Sequence, residues 1–232
     1  MSNPLPLSTL MDKTKNMKQS NKYHKILSLF KRDMEGNKKF IIGKWTTDEL
    51  KFLKDNDWVW TEKVDGTNIR VMWNGKDVIF GGRSDDAQLP TPLLLRLQEL
   101  FVRFEPRQIF VETFGIEEID VVLYGEGYGA RIQKGGGNYI PNGVDFVLFD
   151  VAINGLYLER ENVEDIAQKF GIKVVPIIGH GTLDEAIEMT RKGFKSQWGD
   201  FLAEGIVARP RIELLSRRRE RIITKVKHKD FL

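Results

Sequence analysis

The residues most capable of chemistry lie in the string Glu62-Lys63-Val64-Asp65-Gly66-Thr67-Asn68-Ile69-Arg70. A lysine ends a strand there and is followed by Asp, Gly and Asn. Gly66 permits a tight turn and close backbone approach, and in an extended stretch Lys63 and Asp65 share a face. The alternative reading is a charged strand end before a glycine turn, a common string. Farther along, Leu123-Tyr124-Gly125-Glu126-Gly127-Tyr128-Gly129 reads as a strand that delivers one carboxylate into a glycine-rich turn, followed by Arg131, Gln133, Lys134 and three consecutive glycines. A phosphate cradle fits that composition. The spacing is not that of a P-loop, however, and a surface loop is the alternative for 135–137. Phe146-Val147-Leu148-Phe149-Asp150 is by default a core strand; an aromatic that stacks on a base is the sharper reading. Glu204 stands at the mouth of the apolar strand 205–208. Lys225 and Lys227, at period two, point to one side of a strand. Such a pair is unfavourable without an anion between, unless the strand is a solvated edge.

These residues need elements to position them. Apolar spacing predicts a helix over 23–32, and Thr46-Thr47-Asp48-Glu49 opens a short helix with capping residues. Strands are expected at 58–60 and 69–73, with Asn74-Gly75 turning the latter into a strand over 78–80. A helix is expected over 93–104 and strands over 119–124 and 146–153. Asn154-Gly155 is a second hairpin signal, into 156–158. Helices over 162–170 and 183–191 and strands over 205–208 and 221–227 complete the pattern. Hairpins outnumber regular strand–helix alternation, so an α+β fold of antiparallel sheets with flanking helices is expected. A mobile arm is expected over 1–20 and one domain over 21–232.

The 232 residues are long enough to bury a real core. No apolar run approaches the length that crosses a bilayer, and no apolar leader is present at the N-terminus. Cysteine is absent, which excludes disulfides, zinc–thiolate sites and cysteine nucleophiles. The cytoplasm is the expected compartment and a monomer the default. The net charge of +3 is unevenly spread: 209–229 carries nine Lys/Arg against two Glu, a net of +7, leaving −4 elsewhere. A basic segment on an acidic body suits a polyanionic partner; a solvated charged face is the plainer reading.

Taken in order, Lys-x-Asp-Gly, Gly-Glu, Phe-Asp, Glu-Gly-x-Val and Lys-x-Lys resemble the motif series of the covalent nucleotidyltransferases, the superfamily of ligases and mRNA capping enzymes. Lys63-Val64-Asp65-Gly66-Thr67-Asn68 and Ile132-Gln133-Lys134 are most similar to the RNA ligase 2-type family. The resemblance spans 62–227. It implies a nucleotidyltransferase fold, ATP as AMP donor, and Mg2+ (or Mn2+). Lys63 is implied as the nucleophile that forms a lysyl–AMP, with Lys225 and Lys227 on the α-phosphate. Asp65, Glu126 and Glu204 are implied metal carboxylates, Glu126 alternatively binding the ribose. Asn68 falls near metal and phosphate, and Arg83 touches phosphate or a nucleic-acid 5′ end. Phe149 is assigned to the adenine, with Phe146 as the fallback because strand parity is open. Glu62 is assigned to adenine reading or to orienting the lysine.

The resemblance implies RNA or mixed RNA/DNA ends, nicked or paired, as partner. Arg217, Arg218, Arg219 and Arg221 are placed to hold their backbone. A minimal DNA-nick ligase or end-adenylylating enzyme is the rival within enzymes; a non-catalytic nucleic-acid-binding module is the rival outside them. The sequence departs from larger relatives in ending five residues past Lys227, so no C-terminal accessory domain is expected.

Overall fold

A computed structural model describes residues 21–232; the arm expected over 1–20 lies outside the described residues. Along the chain, β1 (Leu27–Ser28), β2 (Phe30–Arg32) and β3 (Phe40–Trp45) precede the helix α1 (Asp48–Phe52). Thr47 caps α1 by accepting a hydrogen bond from the Leu50 amide, as the sequence leads one to expect. Next come β4 (Trp58–Glu62), β5 (Thr67–Trp73) and β6 (Val78–Gly81). Helices α2 (Thr91–Phe101) and α3 (Phe104–Phe114) lead to β7 (Val121–Gly129), a short α4 (Gly136–Tyr139), β8 (Val144–Ile153) and β9 (Leu156–Tyr157). The rest is α5 (Arg160–Phe170), β10 (Lys173–Val174), β11 (Ile177–Gly181), α6 (Leu183–Lys192), β12 (Gly205–Pro210) and β13 (Thr224–Lys227).

The described residues form two compact units that interleave in sequence: 21–24 with Gly66–Val174, and Lys25–Asp65 with Val175–Leu232. In the first, the sheet order is β10-β8-β7-β5-β6, with β9 also on β8. Period-two alternation sends Ile69, Val71 and Trp73 of β5 and Val121 and Leu123 of β7 into a core shared with α2, α3 and α5. The other face of that sheet carries a smaller cluster of Met72, Val122, Tyr124 and Ala152. Both Asn-Gly hairpins form. Asn74 accepts from the Lys76 and Asp77 amides, which shapes the turn between β5 and β6.

The second unit carries a sheet of order β1-β13-β12-β4-β11 and a separate β2–β3 ribbon. Its core gathers Trp58 and Trp60 of β4, Ile206 and Ala208 of β12, Val226 of β13, and Leu183 and Ala186 of α6. The α6 helix opens with a full capping box between Thr182 and Glu185.

Strand pairing is antiparallel apart from β1 with β13 and β10 with β8, so the α+β expectation holds. Three local expectations fail, the first at Glu126: the strand expected to end at 124 runs on as β7 to Gly129, so Glu126 lies inside it, paired with Asn68 and Val147, and not in a turn. The helix expected over 23–32 is instead β1 and β2: Leu27 and Ser28 pair with Thr224 and Lys225, and the Leu29 amide bonds to the Lys225 carbonyl. A waiting sheet edge nearly 200 residues away outweighs a ten-residue helical period. The single helix expected over 93–104 stops at Phe101, and a separate helix, α3, begins at Phe104.

Candidate active site

Register in the second unit decides where the charged residues fall. Gly205 pairs with Lys227, and Ile206 with both Val226 and Glu62. The Lys63 amide, one residue past β4, donates to the Gly205 carbonyl at 2.9 Å. Strand ends carrying Lys63, Glu204 and Lys227 are thereby held side by side. Gly205 takes φ +153°, and a Cβ there would stand 2.1 Å from the Val226 carbonyl oxygen; no other residue fits beside Glu204.

The side chains complete a lysine–glutamate–lysine cluster. Lys63 Nζ lies 2.6 Å from Glu204 Oε2, and Lys227 Nζ donates to Glu204 Oε1. Glu204 is 11% exposed and each lysine 20%. Burial pulls the Glu204 carboxyl upward, but the Lys63 charge and the hydrogen bonds from both ammoniums hold it below its ordinary value. Lys225 stands on the same side of β13 as Lys227, and Asp65 follows Lys63 in a half-buried position.

Glu62 is 1% exposed and is engaged elsewhere. Ser196 Oγ donates to one of its oxygens at 2.6 Å and the Gln197 amide to the other at 2.8 Å. Glu62 therefore ties the 196–198 loop to the strand that delivers Lys63. Burial pushes its carboxyl above the ordinary range, against those two hydrogen bonds. Ser196 and Gln197 have no sequence signal.

The first unit assembles a second set. Asn68 pairs directly with Glu126 across β5 and β7, and Glu126 is the one position of β7 that is not buried. A Cβ on Gly66 would stand 2.3 Å from the Gly127 carbonyl oxygen, so the turn after Lys63-Val64-Asp65 lies flat on β7 only as glycine. Gln133, in the Ile132-Gln133-Lys134 string, donates to the Gly66 carbonyl and holds the same turn.

Strand parity on β8 is settled by a bulge. Gly125 pairs with Leu148 but Tyr124 with Asp150, so Phe149 is the extra residue. Phe146 is fully buried, edge-on to Phe101 in the core, and is unavailable to a ligand. Phe149 emerges half-buried on the opposite face, beside Tyr23.

Arg83 is exposed on the 82–87 loop. That loop is held by a residue to which no role is assigned above: Arg70, fully buried, donates to the Gly82 carbonyl and to Asp85, both at 2.9 Å. The available signal was an arginine inside the apolar run Ile69-Val71-Met72-Trp73.

The basic run divides. Arg217, Arg218 and Arg219 are exposed at a hairpin tip closed by the Leu215–Arg221 bridge. Arg221 itself is 5% exposed and bidentate to Glu213 at 2.6 and 2.9 Å, which makes it a structural member of the hairpin.

A family model for RNA ligase matches residues 56–227. The chain belongs to the RNA ligase family. Among solved structures, this RNA ligase-family chain resembles the Naegleria gruberi RNA ligase with PPi: 19% identity over 79% of this chain and 52% of that one, TM-score 0.58. A lysine-to-alanine mutant of that ligase, with ATP and Mn, matches at 19% identity over 79% and 53%, also with TM-score 0.58. At this identity the likeness shows the fold, and this chain spans about half the length of those ligases. No curated protein matches it. Among the described residues, no helix is long and apolar enough to cross a membrane, and no three His, Asp or Glu side chains form a ready-made metal group. A magnesium ion held largely by water and phosphate needs only one or two carboxylates.

Proposed function

We propose that this RNA ligase-family chain is an ATP-dependent RNA ligase that works through a covalent AMP on Lys63. The observation that carries the reading is the cluster of Lys63, Glu204 and Lys227, in which an amine with a fifth of its surface open is held against a more enclosed carboxylate and a second cation. In the first step Lys63 Nζ attacks the α-phosphorus of ATP. The N–P bond forms as the bond to pyrophosphate breaks, and the amine gives up its proton to solvent. Lys227 and Lys225 neutralise the α-phosphate; such positioning and charge stabilisation carry most of a phosphoryl transfer.

Glu204 offers hard oxygen donors that suit Mg2+ or Mn2+, with Asp65 and Glu126 as the other carboxylates that the family resemblance assigns to metal. When bound, the ion supplies charge neutralisation at the phosphates. Glu204 would hold such an ion through the same carboxylate that now pairs with Lys63. Asn68, Phe149 and Arg83 are assigned to the nucleotide or the nucleic-acid end. AMP then passes to a 5′-phosphate, and a 3′-hydroxyl displaces it, sealing the strand. The exposed tip Arg217-Arg218-Arg219 supports a contact to the RNA backbone.

Incubation with α-labelled ATP and Mg2+ should label the wild-type protein covalently. An unlabelled wild type, or equal labelling of Lys63→Ala, would contradict the assignment. Matched nicks with RNA or DNA on the 3′-hydroxyl side should be sealed faster with RNA; strong preference for all-DNA nicks would remove the RNA reading and keep the nucleotidyltransferase one.

A further inference from the structure

We propose that residues 21–24 are a positioning strap for the nucleotide-binding residues of the first unit, with Tyr23 as its principal member. The inference rests on the assignment of Phe149 and Arg83 to nucleotide and phosphate, and adds to it the element that fixes both.

Three consecutive residues, Asn21, Lys22 and Tyr23, reach three separate pieces of structure. Lys22 Nζ lies 2.8 Å from Asp85 Oδ2, whose other oxygen accepts from buried Arg70. Arg70 also holds the Gly82 carbonyl, so Lys22 closes the network that shapes the Arg83 loop. The Asn21 carbonyl accepts from Tyr124 Oη at 3.1 Å, on β7 and across from the bulge. Tyr23 Oη donates to Asp150 Oδ2, the residue that follows Phe149 in the bulge.

The Tyr23 ring does further work. It lies edge-on to Phe149 with centroids 5.1 Å apart, and packs against Tyr124 at 4.9 Å and Tyr157 at 6.0 Å. A bulge frees a residue from the ladder, and a residue so freed keeps its direction only if something packs against it. The Tyr23 ring and hydroxyl hold Phe149 and Asp150 from outside the sheet. A single segment therefore sets the loop that presents Arg83 and the bulge that presents Phe149. Such support is what keeps a binding residue within the narrow geometry its role needs.

The test is single-turnover labelling of the full chain over a range of ATP concentrations, which separates apparent ATP affinity from the rate at saturation. Tyr23→Ala should weaken apparent affinity about three- to tenfold, with the saturating rate within about twofold. Tyr23→Phe, which keeps the ring, should lose less, and Lys22→Ala about twofold. Thermal midpoints are recorded for each. Unchanged ATP affinity in both Tyr23 variants, with Phe149→Ala impaired, would overturn the strap alone. So would a Tyr23 loss confined to the saturating rate and tracking a lowered folded fraction. If Tyr23→Ala fails to fold, Tyr23→Phe and Lys22→Ala decide by the same criteria. An unlabelled wild type, or unchanged affinity in Phe149→Ala, would overturn the nucleotide assignment and the strap with it.

Discussion

Each unit of this chain holds a carboxylate between two cations, and the two trios differ in which member is buried. In Lys63–Glu204–Lys227 the acid is the most enclosed, and both ammoniums keep a fifth of their surface open. In Lys22–Asp85–Arg70 a cation is the most enclosed: the guanidinium is fully buried, while the acid and the lysine face solvent. A buried guanidinium that also holds a backbone carbonyl is fixed, and replacing its partners costs much. Flexible lysine stems around one carboxylate can exchange it for a phosphate at small structural cost. The same three charge signs thus suit the proposed working site in one unit and a scaffold in the other.

The largest test of this contrast is removal of the proposed nucleophile. Lys63→Ala should abolish covalent AMP, as read by labelling, and move the urea unfolding free energy by less than about 1 kcal/mol. Glu204→Gln should slow labelling about a hundredfold or more, since it removes a charge aimed at the reacting centre. Arg70→Met should do the reverse: it costs about 1–3 kcal/mol in urea unfolding, through the Gly82 carbonyl and Asp85 that it leaves unpaired, and leaves some labelling intact. If Lys63→Ala unfolds the protein while Arg70→Met leaves its stability unaltered, the distinction between working and scaffold trios is wrong.

A subtler effect separates the two glutamates of the second unit. Glu204 is held below the ordinary carboxylate range in the folded state, so its stabilisation is present above the unfolded value of about 4.3 and lost as pH falls below it. Glu62 is pushed above that range by burial, so its charged form costs stability, and the cost grows as pH rises through and beyond the same value. Urea midpoints between pH 3 and 7 should show a flatter acid limb in Glu204→Gln and a gain toward pH 7 in Glu62→Gln, offset by any loss at Ser196. Opposite signs would show that the two carboxylates were misread. The smallest effect is expected at the hairpin tip. Arg217→Ala/Arg218→Ala/Arg219→Ala should leave self-adenylylation unaltered and flatten the salt dependence of RNA binding by up to about one log unit per arginine. Arg221→Ala should instead lower the unfolding midpoint through loss of Glu213, with little effect on that slope.

The order of the candidate residues was legible in the sequence because Lys63, Glu126 and Glu204 each stand close to a glycine. Lys63 before Gly66, Glu126 between glycines and Glu204 before Gly205 could be placed without knowing which strands pair. The hairpins at Asn74-Gly75 and Asn154-Gly155, and the helices that begin with capping residues, are equally local, since a few neighbouring bonds decide them. What required tertiary structure was every choice made by a distant partner. The edge of β13 turned 27–32 from helix to strand. A one-residue bulge against β7 set Phe149 on the face opposite to buried Phe146. Burial of Arg70 and pairing of Arg221 with Glu213 came from residues 8 to 15 positions away, across turns whose geometry no periodicity reports. Sequence alone determined which groups could react; register and burial, which depend on contacts between remote segments, decided which of them meet.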